Sequence, residues 1–225
     1  QTVEKKPQKE PSKECTIIPL TDGVVLFKNC LCEDEQMGVY NLCLDISHEG
    51  GHDKNIQNLK HNQGYTNPFP FLYYNWPGMS SKIPRPSHLL QFARDLFAKG
   101  GNYANEVEKA SKPELQFPTT YKPESLYAIL YPKGGSLHSH QDGALGWVLS
   151  VSLGNSVMFH YASTQKGKRT QIRLDSGDVI IFNGGVLWHG VDSVIEGTAP
   201  SWWKTAKTFG FSRFNLQFRQ LQTKF

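Results

Sequence analysis

The C-terminal half of the chain is a series of short apolar runs separated by glycine and polar turns. β-Branched and aromatic residues dominate these runs, which is typical of an all-β sandwich or barrel. The predicted strands are Ser125–Tyr131, His138–Asp142, Trp147–Leu153, Val157–Tyr161, Gln171–Leu174, Asp178–Phe182, Leu187–Val194 and Phe209–Gln220. Their number favours a mainly β fold with flanking helices, namely a double-stranded β-helix (jelly roll) whose core is residues 125–220.

Helical periodicity occurs only in the N-terminal half. Ser87 to Lys99 predicts an amphipathic helix that Ser87 caps and Gly100 ends, with a stripe of leucine, phenylalanine and alanine facing the core. An earlier helix begins at the acidic run Glu33–Glu35 and places Met37, Tyr40 and Leu44 at helical spacing. Residues 101–122 are predicted as a short helix and a connecting loop.

Two segments have no sustained period. Residues 1–14 are lysine, glutamate, glutamine and proline with almost nothing apolar, and they predict a disordered tail before a single domain at residues 15–225. Residues 48–86 are rich in glycine, asparagine, proline and aromatic residues. A loop of this length in a compact domain is usually functional or disordered, and its aromatic content argues against simple disorder.

Composition narrows the class of protein. A length of 225 residues suits one domain with a substantial core, and a net charge of +4 agrees with a nucleic-acid partner without establishing one. The absence of a long apolar run or a signal-peptide pattern predicts no membrane partner, and we expect a monomer. Cysteines 15, 30, 32 and 43 match no common zinc spacing. They are predicted to be free thiols in a reducing, intracellular compartment that the sequence does not specify further.

His140 and Asp142 are the first candidate chemical group. They are two residues apart on a predicted strand, so their side chains would share one face. A second histidine, His189, follows another strand-like run and a Gly-Gly turn. Two imidazoles and a carboxylate form the facial triad of non-haem Fe(II) oxygenases, although a catalytic zinc site uses the same ligand types. His138 is a rival ligand, because it is two residues before His140.

The last predicted strand alternates between two kinds of side chain. Phe214, Leu216 and Phe218 would face the core, while the opposite face carries Arg213, Asn215, Gln217 and Arg219. One interpretation is a solvated polar face. The other is a polar lumen that binds a dicarboxylate, because the planar guanidinium grips a carboxylate through two parallel hydrogen bonds.

Together these motifs resemble the AlkB-like Fe(II)/2-oxoglutarate dioxygenases over nearly the whole C-terminal half. The matching pieces are Tyr131-Pro132-x-Gly134, His140-Gln141-Asp142, Val148–Gly154, Gly177-Asp178-Val179, His189-Gly190 and Arg213-x-Asn215-x-x-x-Arg219. The resemblance implies Fe(II), 2-oxoglutarate as cosubstrate and O2. One departure is Ile129, which stands where the family often has asparagine.

The resemblance also implies roles for individual residues. His140, Asp142 and His189 would bind iron. Arg213 would hold the distal carboxylate of 2-oxoglutarate with help from Tyr131 and Asn215. Arg219 would lie near the cosubstrate and the substrate pocket.

AlkB-like enzymes carry a nucleotide-recognition lid where this chain has residues 48–86. Tyr73 and Trp76 are therefore candidates for stacking on a nucleobase, although packing of the segment onto the sheet is the alternative. Phe182 would either lie near the target base or pack in the core.

The implied function is oxidative demethylation of N-methylated nucleobases in DNA or RNA, with release of formaldehyde, succinate and CO2. A same-fold oxygenase acting on a protein or a small molecule is one alternative. A non-catalytic nucleic-acid-binding module is another. Residues 143–147 lack the acidic residues that some AlkB-like enzymes use at the base, which leaves N6-methyladenine or tRNA modification open.

Overall fold

The computed structural model describes residues 14–52, 67–76, 83–107, 115–118, 120–143 and 145–221. Two antiparallel sheets and two long helices account for most of them. The strands are β1 (Thr16–Pro19), β2 (Val25–Lys28), β3 (Phe69–Tyr74), β4 (Ser125–Tyr131), β5 (Leu137–His140), β6 (Leu145–Gly154), β7 (Ser156–Ala162), β8 (Thr170–Leu174), β9 (Val179–Asn183), β10 (Trp188–Ile195) and β11 (Arg213–Leu221). The helices are α1 (Glu33–Glu49) and α2 (Ser87–Val107).

The two sheets form the expected jelly roll. The major sheet has the order β1-β2-β9-β6-β11-β4-β3, and the minor sheet has the order β5-β10-β7-β8. The central strand β11 pairs with β4 on one side and β6 on the other, so its backbone is hydrogen-bonded along both edges. The fold class predicted from the strand pattern is confirmed.

Strand alternation divides the core into two layers. Phe214, Leu216 and Phe218 of β11 belong to the layer between the major sheet and the helices. The second layer lies between the two sheets and includes Ile129 and Tyr131. Because successive strand residues point to opposite faces, the polar residues of β11 face this inter-sheet space.

The predicted helix α1 is present, and of its three residues at helical spacing Tyr40 and Leu44 face the core whereas Met37 does not. Its buried residues are Gln36, Tyr40, Cys43 and Ser47. Met37 is 40% exposed, because it lies one position off that stripe. Tyr40 packs against Trp202 and Trp203, which places these two tryptophans in the core.

Helix α2 continues through Gly100, so the predicted end at this glycine is wrong. A Cβ at Gly100 would lie 2.7 Å from the Phe27 ring and 3.2 Å from Ile181 Cδ1. Glycine is therefore needed at this position for close packing of the helix on the sheet and not for a left-handed cap. Ser87 is the first helical residue.

The segment predicted as a lid is partly regular structure. Its first two residues finish α1, and Phe69–Tyr74 forms the edge strand β3 of the major sheet. Residues 53–66 and 77–82 lie outside the described part of the chain, as do residues 1–13 of the predicted tail. The domain boundaries stay a prediction.

Two composition-based expectations can be compared with the structure. All four cysteines are free, with Cys43 buried and Cys32 exposed. Among the described residues, no helix has both the length and the apolar character needed to cross a bilayer.

Candidate metal and cosubstrate site

Strands β5 and β10 bring two histidines together. His140 of β5 pairs directly with His189 of β10 in the minor sheet, and their ring centroids are 4.5 Å apart. Directly opposed residues on antiparallel strands point to the same face, so both imidazoles lie on one side of the sheet. His189 is buried, whereas the His140 side chain is 36% exposed.

Asp142 completes the group from a turn and not from the strand that was predicted to carry it. Strand β5 ends at His140, and the Asp142 N–H then donates to the Gly184 carbonyl at 2.9 Å. The carboxylate oxygens lie 3.5 Å from His140 Nε2 and 3.7 Å from His189 Nε2. The donor atoms of the three residues all lie within 4.8 Å of one another.

Backbone carbonyls fix the orientation of both imidazoles. His140 Nδ1 is 2.8 Å from the His138 carbonyl, and His189 Nδ1 is 3.0 Å from the Leu187 carbonyl. A carbonyl only accepts, so Nδ1 carries the proton and Nε2 presents its lone pair to the cluster, as in metal sites. Burial, with a contribution from His140, lowers the pKa of His189 to about 3 and keeps it in the neutral form that binds metals.

Two glycines, to which the sequence analysis assigned no role, make room for this cluster. A Cβ at Gly184 would lie 2.1 Å from Asp142 Oδ2, and one at Gly190 would lie 2.6 Å from the Leu137 carbonyl oxygen. No side chain could be accommodated there without displacing the carboxylate or strand β5. Gly184 belongs to the Gly-Gly turn that precedes His189, and Gly190 follows His189 in the sequence motif.

His138 is exposed and does not join the donor cluster found among the described residues. The register between β5 and β10 shifts next to the histidines, so that Val191 pairs with Leu137. The choice of His140 over His138 therefore agrees with the geometry.

The polar face of β11 is buried and not solvated. Arg213, Asn215, Gln217 and Arg219 are all at most 9% exposed. Asn215 donates its amide to Ser150 Oγ and the Val151 carbonyl, and it accepts from Gln217. Its amide thus ties β11 to β6, and its predicted contact with 2-oxoglutarate stays a prediction.

Arg213 is a buried cation with unused donors. Its Nη2 donates to Ser152 Oγ at 2.8 Å, while Nε and Nη1 are buried without a hydrogen-bond partner. The guanidinium lies over the Tyr131 ring, with its carbon 5.1 Å from the ring centroid. Burial lowers the pKa of Arg213 to about 10 and raises that of Tyr131 to about 12. Buried unpaired donors of this kind fit an anionic carboxylate.

Arg219 connects the metal cluster to an aromatic pair. Its Nη1 forms an ion pair with Asp142 Oδ2, and its guanidinium carbon lies 5.1 Å from the Trp76 ring centroid. Trp76 in turn stacks on Tyr127, with centroids 4.2 Å apart and an interplanar angle of 18°. The predicted substrate residue Trp76 therefore lies close to the candidate metal site.

The other two predicted substrate residues lie in different surroundings. Tyr73 is half-buried on β3 and contacts the His52 ring at 4.5 Å. Phe182 is buried on β9, with its ring edge-on to His189 at 4.7 Å. Phe182 thus supports a metal-site histidine, while substrate contact by either residue stays a prediction. Ile129 is buried beside Asn215 in the β4–β11 pair.

The site fits an iron ion and an acidic cosubstrate. His140, Asp142 and His189 supply two neutral nitrogens and a carboxylate, which is the donor set of non-haem Fe(II) oxygenases. Arg213 faces the same inter-sheet space and holds free donors for a carboxylate.

Comparisons with known proteins agree with this assignment. The sequence profile of the 2OG-Fe(II) oxygenase superfamily matches residues 23–219. The Arabidopsis thaliana protein named DNA N(6)-methyladenine demethylase ALKBH1C is 27% identical over 244 residues, covering 95% of this chain and 51% of the relative. The Schizosaccharomyces pombe protein named tRNA demethylase abh1 is 25% identical over 161 residues, covering 66% of this chain and 50% of the relative.

A solved structure shares the fold. The structure titled OsALKBH1 superposes with a TM-score of 0.64 at 23% sequence identity, covering 91% of this chain and all of that chain. The chain spans about half the length of the two curated relatives described above. The profile match covers most of the chain and includes all the candidate metal and cosubstrate residues, and from this we conclude that the chain belongs to the 2OG-Fe(II) oxygenase superfamily as an AlkB-like member.

Proposed function

We propose that this chain is an Fe(II)/2-oxoglutarate-dependent demethylase of N-methylated nucleobases in DNA or RNA. The names of two relatives support the substrate class, since one is a DNA N(6)-methyladenine demethylase and the other a tRNA demethylase. The free cysteines agree with a reducing, intracellular compartment, and this location and a monomeric state are part of the same proposal.

The observation that carries the proposal is Arg213, whose buried guanidinium has two nitrogens without a partner. An unpaired buried cation is costly, and a protein keeps one mainly where a ligand will neutralise it. Arg213 faces the same space as His140, Asp142 and His189. A dicarboxylate held by the guanidinium could therefore reach the metal with its other end.

Each protein residue then has a defined task. His140, Asp142 and His189 would hold iron, and Arg213 would orient 2-oxoglutarate by its distal carboxylate. When bound, the iron would supply the activation of O2 that oxidises an N-methyl group while 2-oxoglutarate becomes succinate and CO2. The resulting N-hydroxymethyl group breaks its C–N bond, and formaldehyde leaves as the nitrogen regains a proton.

The apolar walls of the site favour oxidation of the substrate over side reactions with water. Phe182 packs edge-on against His189, and Leu187 and Val148 belong to the same inter-sheet core. These side chains would exclude solvent from one side of a metal held by the cluster. The more exposed His140 side leaves an approach for substrate.

A base within a duplex cannot reach a site that lies between two sheets, so the target must be flipped out or single-stranded. Among the three candidate substrate residues, we assign this contact to Trp76, because its ring is near Arg219, the ion-pair partner of Asp142. Aromatic stacking accepts any base, so the structure leaves the choice of base to other contacts.

The test is to measure succinate and formaldehyde with Fe(II), 2-oxoglutarate and a panel of methylated single- and double-stranded DNA and RNA. With at least one oligonucleotide, we expect one formaldehyde for each additional succinate that its presence produces. Succinate without formaldehyde would retain the oxygenase but move its substrate to a protein or small molecule. Neither product, from protein shown to bind iron, would contradict the proposal.

A further inference from the structure

A polar cavity lies outside the candidate site, at the edge of the major sheet on the side where α2 packs. Its volume is about 240 Å³, and it opens between the start of α2, the end of β3 and the residues before β4. Its lining includes Arg85, Arg94, Lys122, Glu124, Asn75 and Tyr74. We call this the basic cavity. None of these residues has a task in the proposed oxidation.

The charge of the basic cavity is positive and poorly compensated. Three cations face one carboxylate, that of Glu124. Arg94 donates through Nε and Nη2 to the neutral amide oxygen of Gln91, at 3.1 and 2.6 Å. In the described ranges, no carboxylate is recorded within ion-pairing distance of Arg85, Arg94 or Lys122. Unpaired clustered cations attract an anion.

The end of β3 connects the basic cavity to Arg219, the ion-pair partner of Asp142. Tyr74 lines the cavity, and Trp76, two residues later, lies beside Arg219, the partner of Asp142. Between them, Asn75 has a positive φ of 49° and donates its side-chain amide to the Glu124 carbonyl at 3.0 Å. The Glu124 N–H donates in turn to the Arg219 carbonyl at 3.0 Å.

The volume of the basic cavity and its hydrogen-bond donors indicate what kind of ligand fits it. A cavity of this volume is smaller than the roughly 300–1,000 Å³ of typical small-molecule sites, so it suits a compact anionic group better than a whole nucleotide. Arginine forks match the oxygens of phosphate, and lysine adds a point charge. A nucleic-acid strand carries one phosphate per nucleotide, so a base at the metal brings phosphates to the adjoining surface.

We propose that Arg85, Arg94 and Lys122 bind a backbone phosphate of the strand whose methylated base enters the metal site. This rests on the proposed function. Phosphate contacts fix the position and register of a strand without reading its sequence. The basic cavity would therefore set which nucleotide reaches the site, while the site itself selects the methylated base.

The experiment compares two triple variants of the full chain. The first, Arg85→Gln/Arg94→Gln/Lys122→Gln, removes the three cavity cations. The matched control, Lys168→Gln/Arg169→Gln/Lys204→Gln, removes the same charge from three exposed residues elsewhere. Binding of a fluorescent 12-nucleotide strand containing N6-methyladenine, as DNA and as RNA, is measured from 50 to 200 mM salt. Thermal unfolding checks that each variant is folded.

We expect the cavity variant to bind at least tenfold more weakly at 50 mM salt. The slope of the logarithm of the association constant against the logarithm of salt concentration should become shallower by about 0.7. This is the slope contributed by one phosphate contact to a single strand. The control variant should keep the wild-type slope. Arg85→Lys/Arg94→Lys should restore the slope, because it keeps the charge, while recovering only part of the affinity.

The outcomes separate this site from the proposed function. A cavity variant that is folded and has the wild-type slope overturns the phosphate site, as does a control variant with the same loss. Wild-type protein that binds strands but releases no formaldehyde from any oligonucleotide of the methylated panel contradicts the proposed function alone. Wild-type protein that binds neither the DNA nor the RNA strand overturns both.

Discussion

At the scale of single residues, the two buried arginines of β11 are in opposite electrostatic situations. Arg219 forms an ion pair with the Asp142 carboxylate, whereas no carboxylate among the described residues pairs with Arg213, and the Nε of each arginine lacks a hydrogen-bond partner. Both guanidiniums have a pKa lowered to about 10 by burial. The difference means that one arginine belongs to the folded protein and the other is prepared for a ligand.

Replacing each arginine by methionine should reveal this difference. In the metal-free protein, Arg213→Met should leave the free energy of unfolding unchanged or higher, because it removes an uncompensated buried charge. It should also raise the KM for 2-oxoglutarate at least about tenfold, through loss of charge-assisted hydrogen bonds. Arg219→Met should lower the free energy of unfolding by about 3–5 kcal/mol, since it leaves Asp142 buried and unpaired.

Chemical denaturation and succinate assays measure both effects. Equal destabilisation by the two substitutions would show that Arg213 is already compensated in the metal-free protein. An unchanged KM in Arg213→Met would move the cosubstrate elsewhere.

Strand β5 carries a predicted metal ligand, His140, and a nearby control histidine, His138. His140→Ala should abolish formaldehyde release and iron binding, because Nε2 is a ligand atom, and Asp142→Ala should also abolish turnover. His138→Ala should keep wild-type activity, because its side chain is exposed and outside the donor cluster. His140→Ala should change stability by no more than about 1 kcal/mol, since its side chain is partly exposed.

Iron titration, product assays and thermal unfolding test the pair. Full activity in His140→Ala would refute the proposed triad. Loss of activity in His138→Ala with iron binding intact would give His138 a task that the geometry does not explain.

At the scale of secondary-structure elements, each helix contains a glycine, and the surroundings of the two glycines differ. Gly38 lies in α1 with nothing within 4 Å of the place where a Cβ would be. Gly100 lies in α2 directly against the Phe27 ring. Glycine at the first position only costs helix stability, while at the second it permits the helix to approach the sheet.

The same substitution should therefore have opposite effects in the two helices. Gly38→Ala should raise the free energy of unfolding by about 0.5–1 kcal/mol through helix propensity. Gly100→Ala should lower it by about 1–3 kcal/mol, because the new methyl group overpacks the interface with Phe27. Urea denaturation of both variants is the measurement, and stabilisation by Gly100→Ala would show that α2 can move away from the sheet without cost.

At the scale of the whole molecule, a cluster of charges holds the two sheets together. Lys28 of β2 donates to Asp175 and to the fully buried Asp178, each at 2.6 Å. Ser156 of the minor sheet donates to the same Asp175 carboxylate. Burial by itself would raise the pKa of Asp175, but hydrogen bonds from Lys28, Ser156 and Arg173 bring it down to about 2. Asp178 of the Gly177-Asp178-Val179 motif therefore has a structural role.

Loss of Lys28 should show in the pH dependence of stability. The depressed pKa of Asp175 means that its contribution is complete above about pH 4 and is lost as the pH falls towards 2. Lys28→Met should lower the free energy of unfolding by roughly 1–3 kcal/mol at pH 7. This is less than for a fully buried pair, because Lys28 and Asp175 are partly exposed.

The difference in free energy of unfolding between Lys28→Met and wild type should shrink as the pH falls from 4 to 2. Denaturation at pH 7, 4 and 3 measures it, with the exposed Lys166→Met as the control that stays within about 0.5 kcal/mol of wild type. A deficit that is constant with pH would mean that packing of the lysine stem, and not its charge, links the sheets.

The sequence by itself determined the fold class, the candidate metal ligands and the polar face of β11. Strand alternation depends only on local spacing, so the opposite faces of Arg213 and Phe214 follow from the order of residues. The spacing of His140 and Asp142 marked them as a pair, although the strand predicted to carry both ends at His140. Helix α1 was predicted from its periodicity, and its buried face only in part, since Tyr40 and Leu44 contact the core but Met37 does not.

Only the tertiary structure decided the features that depend on contacts between distant residues. Gly100 was predicted to end a helix because glycine often does, and its packing against Phe27 could not be read from its neighbours. The pairing of Arg219 with Asp142, the free donors of Arg213 and the basic cavity arise where separate strands and helices meet. Local sequence specifies which groups are present, whereas their charge balance is set by the partners that folding brings to them.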